Sequence, residues 1–150
     1  MGFSIWDWRI GICELGFANW ELGLGWGEMM DKRTLQNRTM KFAIDVIKLT
    51  EGFPKNTAAF VIEKQIIRSA TSVAANYRSI SRAKSKMDFI NKLRIVEEEA
   101  DETMFWIELC KELNFTDQTT LNKLHIEANE ILSIIVASIK TMKNNLKRKQ

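Results

Sequence analysis

Apolar residues recur at helical spacing along most of the chain that follows the first thirty residues. The first series has intervals of seven, four and three positions, which places its members on one face of a helix: Leu35, Phe42, Val46 and Leu49. Comparable series follow in three later segments, and no segment shows the sustained alternation that is typical of a β-strand. The pattern therefore predicts an all-α chain with helices at about 31–50, 57–80, 86–113 and 117–147.

Turn and capping residues separate these predicted helices. Gly52 and Pro54 end the first helix, because Gly adopts a left-handed cap and Pro cannot continue the hydrogen-bond ladder. Candidate N-caps precede the other three helices: Asn56 or Thr57, then Ser85, then Thr116 or Asp117. Amphipathic helices with such short connections pack most simply as an antiparallel up-down-up-down four-helix bundle. Predicted helix four also carries apolar residues off its main stripe that can face a partner subunit: Ile126, Ile134 and Val136.

The composition changes near Met29 and divides the 150-residue chain in two. Six of the seven Gly and four of the five Trp lie within the first 27 residues, whereas residues 29–150 contain a single Gly and a single Pro. Residues 1–28 have a net charge of −3 and residues 29–150 one of +6. We therefore expect an irregular N-terminal extension at 1–28 and a bundle domain at 29–150.

Three interpretations of the extension are open. The favoured one is upstream sequence translated ahead of a native start at Met29, Met30 or Met40. A poorly ordered extension is the second. The third is an aromatic docking patch or membrane-surface patch formed by the four tryptophans Trp6, Trp8, Trp20 and Trp26.

The residues that usually carry catalysis or bind metals are scarce. Residues 29–150 contain one His and one Gly, so they lack the Gly-x-Ser-x-Gly motif and phosphate-binding glycine loops. The acidic run at 97–102 lacks the Glu-x-x-His of bundle di-metal sites, which leaves a solvated acidic face or pairing with an Arg of a neighbouring helix. We expect Cys110 in the core and His125 at the surface or its boundary. Accordingly no enzymatic activity, metal or cofactor is expected.

Two general features of the chain bear on its location. Two cysteines, Cys13 and Cys110, cannot build a disulfide framework and suit a reducing cytoplasm. Charged residues interrupt every apolar run before it reaches the roughly 18–20 residues that a membrane span needs. We therefore expect a cytoplasmic protein with no membrane partner.

Basic residues form two groups. The first runs from predicted helix two into the following connection: Arg68, Arg78, Arg82, Lys84 and Lys86. The second crowds the C-terminal end: Lys140, Lys143, Lys147, Arg148 and Lys149. Both groups can contact phosphates, because such contacts need positive charge and no fixed motif. The alternatives are a solvated loop for the first group and favourable interaction with the helix dipole for the second.

Two blocks of sequence carry a resemblance to a known family: Phe53-Pro54 with residues 65–78, and residues 83–90 with Leu93, 97–103 and 106–109. In these blocks the chain resembles the bacterial four-helix-bundle proteins first noticed as products of intervening sequences in 23S ribosomal RNA genes. The resemblance covers residues 40–145. It implies a homopentamer and a similarity to the accessory proteins of diversity-generating retroelements, which are basic bundles that work with a reverse transcriptase and RNA.

The resemblance brings no established catalytic residue, so the site predictions concern binding. Arg68, Arg78 and Arg82 are candidates for RNA contacts, together with Lys84 and Lys86. The residues with candidate structural or interface roles are Gln65, Asn76, Ser85, Glu98 and Glu102. The leading hypothesis is a non-enzymatic oligomer that binds ribosomal or intervening-sequence RNA through a basic surface. The alternative is a protein-interaction scaffold that recruits, for example, a reverse transcriptase.

Overall fold

A computed structural model of the chain describes residues 27–147, with side chains from residue 33 onward. Four α-helices account for most of this part: α1 at Gly27–Thr50, α2 at Thr57–Ser79, α3 at Lys86–Glu112 and α4 at Gln118–Lys147. A single 3₁₀ turn, Ile80–Arg82, follows α2. No strand occurs between residues 27 and 147. The prediction of an all-α, four-helix chain is confirmed.

The observed helix bounds lie close to the predicted ones, with one larger difference at the start of α1. This helix begins at Gly27, four residues before the predicted start, because Glu28, Met29 and Met30 are good helix formers that extend a helix once it is nucleated. The change in composition near Met29 therefore falls inside α1. Residues 1–26, including the four tryptophans and Cys13, lie outside the described residues, as do Arg148 and Lys149.

Local hydrogen bonds fix where the helices begin. Asn56 caps α2, since its side-chain oxygen accepts from the Ala59 N–H at 2.9 Å. Ser85 caps α3 by accepting from the Asp88 N–H at 3.0 Å, and the Asp88 carboxylate in turn accepts from the Lys84 N–H at 2.8 Å. Ser85 is thus the N-cap that the sequence predicts, and Asp88 completes an arrangement similar to a capping box by accepting from Lys84, the residue before the cap. At α4, the Asp117 carboxylate accepts from the Thr120 hydroxyl and from the Thr120 and Thr119 N–H groups, and these bonds, the one from the hydroxyl most of all, lower its pKa.

Two connections bring the end of α1 against the start of α4. Phe53, which is buried, meets Phe115 edge to face with ring centroids 5.6 Å apart. A Cβ on Gly52 would lie 2.7 Å from Thr116 Oγ1, so this close approach requires glycine. Asn114 takes the left-handed conformation that ends α3, with φ of 52°. The helices end close together because small or permissive residues occupy these turns.

Contacts along the helices show that α4 runs antiparallel to both α3 and α1. Glu108 of α3 meets His125 near the start of α4, while the first turns of α3 and the last turns of α4 line a common cleft. Arg38 at the middle of α1 bonds Glu127 of α4, while Gly52 after the end of α1 meets Thr116 just before α4. Packing is most extensive between α3 and α4 and between α2 and α3, and α1 closes the bundle against α4.

The bundle core contains the apolar series that the sequence predicts. Fully buried members come from all four helices: Val46, Ile66, Val73, Val96, Ile107, Ile131 and Ile135. The core is not wholly apolar, because Thr103 donates a hydrogen bond to Ser69 Oγ at 2.9 Å across the α2–α3 interface, and both residues are buried. Within residues 27–147, no helix combines the length and the uninterrupted apolar character that crossing a bilayer requires.

The burial of the α4 stripe can be tested with two substitutions of the same type. Ile131 is fully buried, so Ile131→Ala should lower the free energy of unfolding by about 2–5 kcal/mol through lost burial and a cavity. Ile126 is 59% exposed on the same helix, and Ile126→Ala should change it by less than about 0.5 kcal/mol. Urea unfolding followed by circular dichroism measures both. Equal losses in the two variants would contradict the assigned inner face of α4.

Candidate nucleic-acid interface

The connection between α2 and α3 presents four of the predicted RNA-contacting residues at one end of the bundle. Arg78 lies in the last turn of α2, Arg82 in the 3₁₀ turn, Lys84 in the connection and Lys86 at the start of α3. The first three are exposed. The structure thus places Arg78, Arg82, Lys84 and Lys86 within one short corner of the fold.

The antiparallel packing of α3 against α4 adds a second set of cations at this same end. Arg94 of α3 and three lysines of α4 (Lys140, Lys143 and Lys147) line a cleft of about 360 Å³ between the two helices. The sequence places these lysines near the C-terminus, and nothing in its local pattern connects them with Arg94. We call the combined surface the basic end: Arg78, Arg82, Lys84, Lys86, Arg94, Lys140, Lys143 and Lys147.

Acidic residues are almost absent from the segments that form the basic end. Residues 70–96 and 131–147 contain nine Lys and Arg but only one acidic residue, Asp88, which gives a net charge of +8. The Asp88 carboxylate accepts the Lys84 N–H and lies 3.8 Å from Lys92 Nζ. The one acidic group is therefore engaged in capping α3 and in an i,i+4 pair.

Some cations elsewhere in the bundle pair with carboxylates, whereas others, such as Lys48 and Lys55, form no ion pair among residues 33–147. Arg38 binds Glu127 through two hydrogen bonds, of 2.6 and 2.8 Å, and also contacts Glu130. Lys41 pairs with Asp45. At the basic end, by contrast, seven cations form no ion pair with any residue between 33 and 147: Arg78, Arg82, Lys84, Arg94, Lys140, Lys143 and Lys147. Their positive charge faces solvent uncompensated.

Arg68, the fifth predicted RNA-contacting residue, has a different environment. Its guanidinium pairs with Glu102 and lies 3.4 Å from Glu99 on α3, and its Nε donates to Gln65 Oε1 at 3.3 Å. Trp106 Nε1 also donates to Glu102 at 3.1 Å. Arg68 and then Trp106 lower the pKa of the Glu102 carboxyl by hydrogen bonding. Arg68 is thus a link between α2 and α3, about 15 Å along the helix from Arg78.

The remaining predicted motif residues are mostly satisfied locally. Asn76 Nδ2 donates to the Ser72 carbonyl at 2.9 Å, which keeps its side chain on its own helix. Ser85 is the N-cap of α3. Glu98 is exposed on α3. Of the two interpretations of the acidic run, pairing with an arginine of a neighbouring helix holds for Glu99 and Glu102.

In the described part of the fold, the side chains suited to nucleophilic or metal chemistry are not arranged as a catalytic or metal site. Cys110 is fully buried, as predicted, and burial raises the pKa of its thiol to about 12. His125 is partly buried at the surface boundary, with Nε2 2.8 Å from Glu108 Oε1. Within residues 27–147, no three His, Cys, Asp or Glu side chains lie close enough together to hold a metal ion.

Comparisons with known proteins found one family model and a similar solved structure. The family model described as 23S rRNA-intervening sequence protein matches residues 32–137. A crystal structure of a protein with unknown function from the S23 ribosomal protein family of Bacteroides thetaiotaomicron VPI-5482 is 32% identical, with a TM-score of 0.67. That similarity covers 73% of this chain and 97% of the other. No curated protein sequence matches the chain.

The environment of Cys110 predicts an unreactive thiol. In a Cys13→Ser variant, which leaves Cys110 as the sole cysteine, a disulfide reagent should label the folded protein at least about 10³-fold more slowly than the urea-unfolded protein. The reason is that burial both blocks the reagent and suppresses the thiolate that attacks it. Labelling is followed by release of the coloured thiol. Equal rates in the two states would show that the thiol is accessible in the fold.

Proposed function

The chain belongs to the family of 23S rRNA-intervening sequence proteins, and from this premise we propose that it binds structured RNA, ribosomal or intervening-sequence RNA, through the basic end. The observation that carries the proposal is the concentration of unpaired cations there, in segments that contain nine Lys and Arg and one acidic residue. Seven Lys and Arg side chains lack a carboxylate partner among the described residues, although carboxylates pair with cations on other faces of the same bundle. A surface kept free of acidic residues suits a polyanionic ligand.

Phosphate contact is the form of recognition that this surface favours. Lys and Arg side chains at the α2–α3 connection and on the last turns of α4 can neutralise the phosphates of an RNA backbone without contacting its bases. The uncompensated charge also steers a polyanion toward this end of the bundle. The proposed role is therefore a non-enzymatic one, in which the protein positions or protects RNA and performs no bond-making step.

Removing two cations at the α2–α3 connection should weaken RNA binding without affecting the fold. We expect Arg78→Ala/Arg82→Ala to lower the affinity for a 23S ribosomal RNA fragment by about tenfold and to reduce the slope of log K against log salt by about 2. The affinities are measured by fluorescence anisotropy over a series of salt concentrations. Circular dichroism verifies that the variant remains helical.

Two control variants make this result specific. Lys48→Ala/Lys55→Ala removes the same charge near the opposite end of the bundle and should leave both affinity and slope nearly unchanged. Arg68→Ala should also have little effect on binding, because that guanidinium is already paired with Glu102 and Glu99. Equal losses in all three variants would indicate a nonspecific response to net charge and would count against the basic end as the site.

We further propose that the chain assembles with itself, as the homopentamer that the resemblance implies. Support comes from apolar side chains that α1 exposes at four- and three-residue intervals: Met40, Ile44 and Ile47, each 40–45% exposed. On the neighbouring α2, Phe60 is 55% exposed, with Lys64 Nζ 4.1 Å from its ring centroid. Burying such a face between copies is favourable, and a ring would place several basic ends in one particle. The alternative occupant of this face is another protein, such as a reverse transcriptase.

The self-association surface can be tested by placing a charge on it. Ile44→Glu should reduce the sedimentation mass from about 87 kDa, five times the 17.4 kDa chain, toward that of the monomer. Ile126→Glu is the matched control on α4, where the sequence pattern had suggested a partner contact; Ile126 is 59% exposed. If only Ile126→Glu dissociates the assembly, the contact lies on α4. A monomeric wild-type chain would refute the proposed assembly.

A further inference from the structure

The cleft between α3 and α4 differs in kind from the rest of the basic end. It lies between the first turns of α3 and the last turns of α4, and its volume is about 360 Å³. Pockets that hold small organic ligands begin at about 300 Å³, so the cleft has room for one group of roughly that size. Arg78 and Arg82 are exposed and do not line this cleft.

The lining of the cleft combines three kinds of side chain. Apolar contacts are offered by Met87, Ile90 and Leu146. Two amides, Asn91 and Asn144, face the same space, and neither makes a side-chain hydrogen bond to another residue in the described part of the chain. Positive charge comes from Arg94 and the three lysines of α4, and none of the lining residues is acidic.

Each kind of side chain matches one part of a nucleotide. Lysines and Arg94 match the phosphate, the apolar side chains match the faces of a base, and Asn amides present both a donor and an acceptor to a base edge. The guanidinium of Arg94 can also stack on a base. A paired duplex would present only its phosphates here, because its bases are stacked inside the helix.

We propose that this cleft accepts a single unpaired nucleotide of the bound RNA, turned out of a bulge or loop. This inference rests on the proposed RNA binding and adds a preference for RNA that carries an unpaired base. The packing behind the cleft supports it: Ile90, Ile139 and Met142 are buried, so the walls are held by the α3–α4 core. The cleft is therefore formed before RNA arrives.

The test uses two hairpin RNAs that differ only by one bulged nucleotide, with the fluorescent base 2-aminopurine at the bulge. Wild-type protein should bind the bulged hairpin about tenfold more tightly than the fully paired one, and the probe's fluorescence should change on binding. Asn91→Ala/Asn144→Ala should bring this ratio close to one and leave the affinity for the paired hairpin unchanged. Both asparagines are exposed, so this variant is expected to fold.

Arg78→Ala/Arg82→Ala is the matched control, because it should weaken binding of both hairpins equally and preserve their ratio. A wild-type ratio near one, or a ratio that survives Asn91→Ala/Asn144→Ala, would overturn the nucleotide cleft while leaving RNA binding by the basic end in place. Failure of wild-type protein to bind either hairpin would overturn the proposed function and the cleft together. One set of titrations therefore distinguishes a supported cleft, a failed cleft with RNA binding intact, and a failure of RNA binding itself.

Discussion

The antiparallel packing of α3 against α4 is the constraint on which the candidate interface depends. It places the first turns of α3 beside the last turns of α4, so cations about fifty residues apart in sequence line one cleft. The packing itself is driven by burial of residues such as Val96, Ile107, Ile131 and Ile135. A shift of one helical turn would move Arg94 about 5 Å along α3 and separate it from the lysines of α4. The apolar register of the core therefore also determines the charge pattern of the surface.

Charge is used in two ways in this bundle. Arg38 and Arg68 link helices, because each bonds carboxylates on a neighbouring helix. Partly exposed ion pairs of this kind contribute little to the free energy of unfolding but fix which helix faces meet. Seven cations of the basic end, by contrast, form no ion pair within residues 33–147. Their mutual repulsion is a cost to the fold that no internal contact offsets. A ligand with many negative charges would remove that cost, which is the physical reason for proposing RNA.

Local sequence signals predicted most of the fold, and they had already singled out Arg78, Arg82, Lys84 and Lys86, which form one part of the basic end. Ser85 with Asp88, and Gly52 with Pro54, mark helix ends by chemistry that acts over a few residues, so these boundaries were predictable. Asn114 was not, because an asparagine in the left-handed conformation has no distinctive sequence context. Arg68 resembled the other cations of its cluster, and its pairing with Glu102 depends on how α2 and α3 meet. Arg94 and Asn144 were missed for the same reason: only tertiary register brings them together.

Self-association and RNA binding reinforce each other in the proposed arrangement. One basic end makes few phosphate contacts, and affinity built on such contacts falls steeply with salt. Several basic ends in one particle raise the effective concentration of cations near a long RNA, so binding persists where a single chain would dissociate. Phosphate contacts of this kind carry no sequence information. Within a multivalent particle, a cleft that fits one unpaired nucleotide would set the register of the RNA, while the unpaired lysines and arginines supply the affinity.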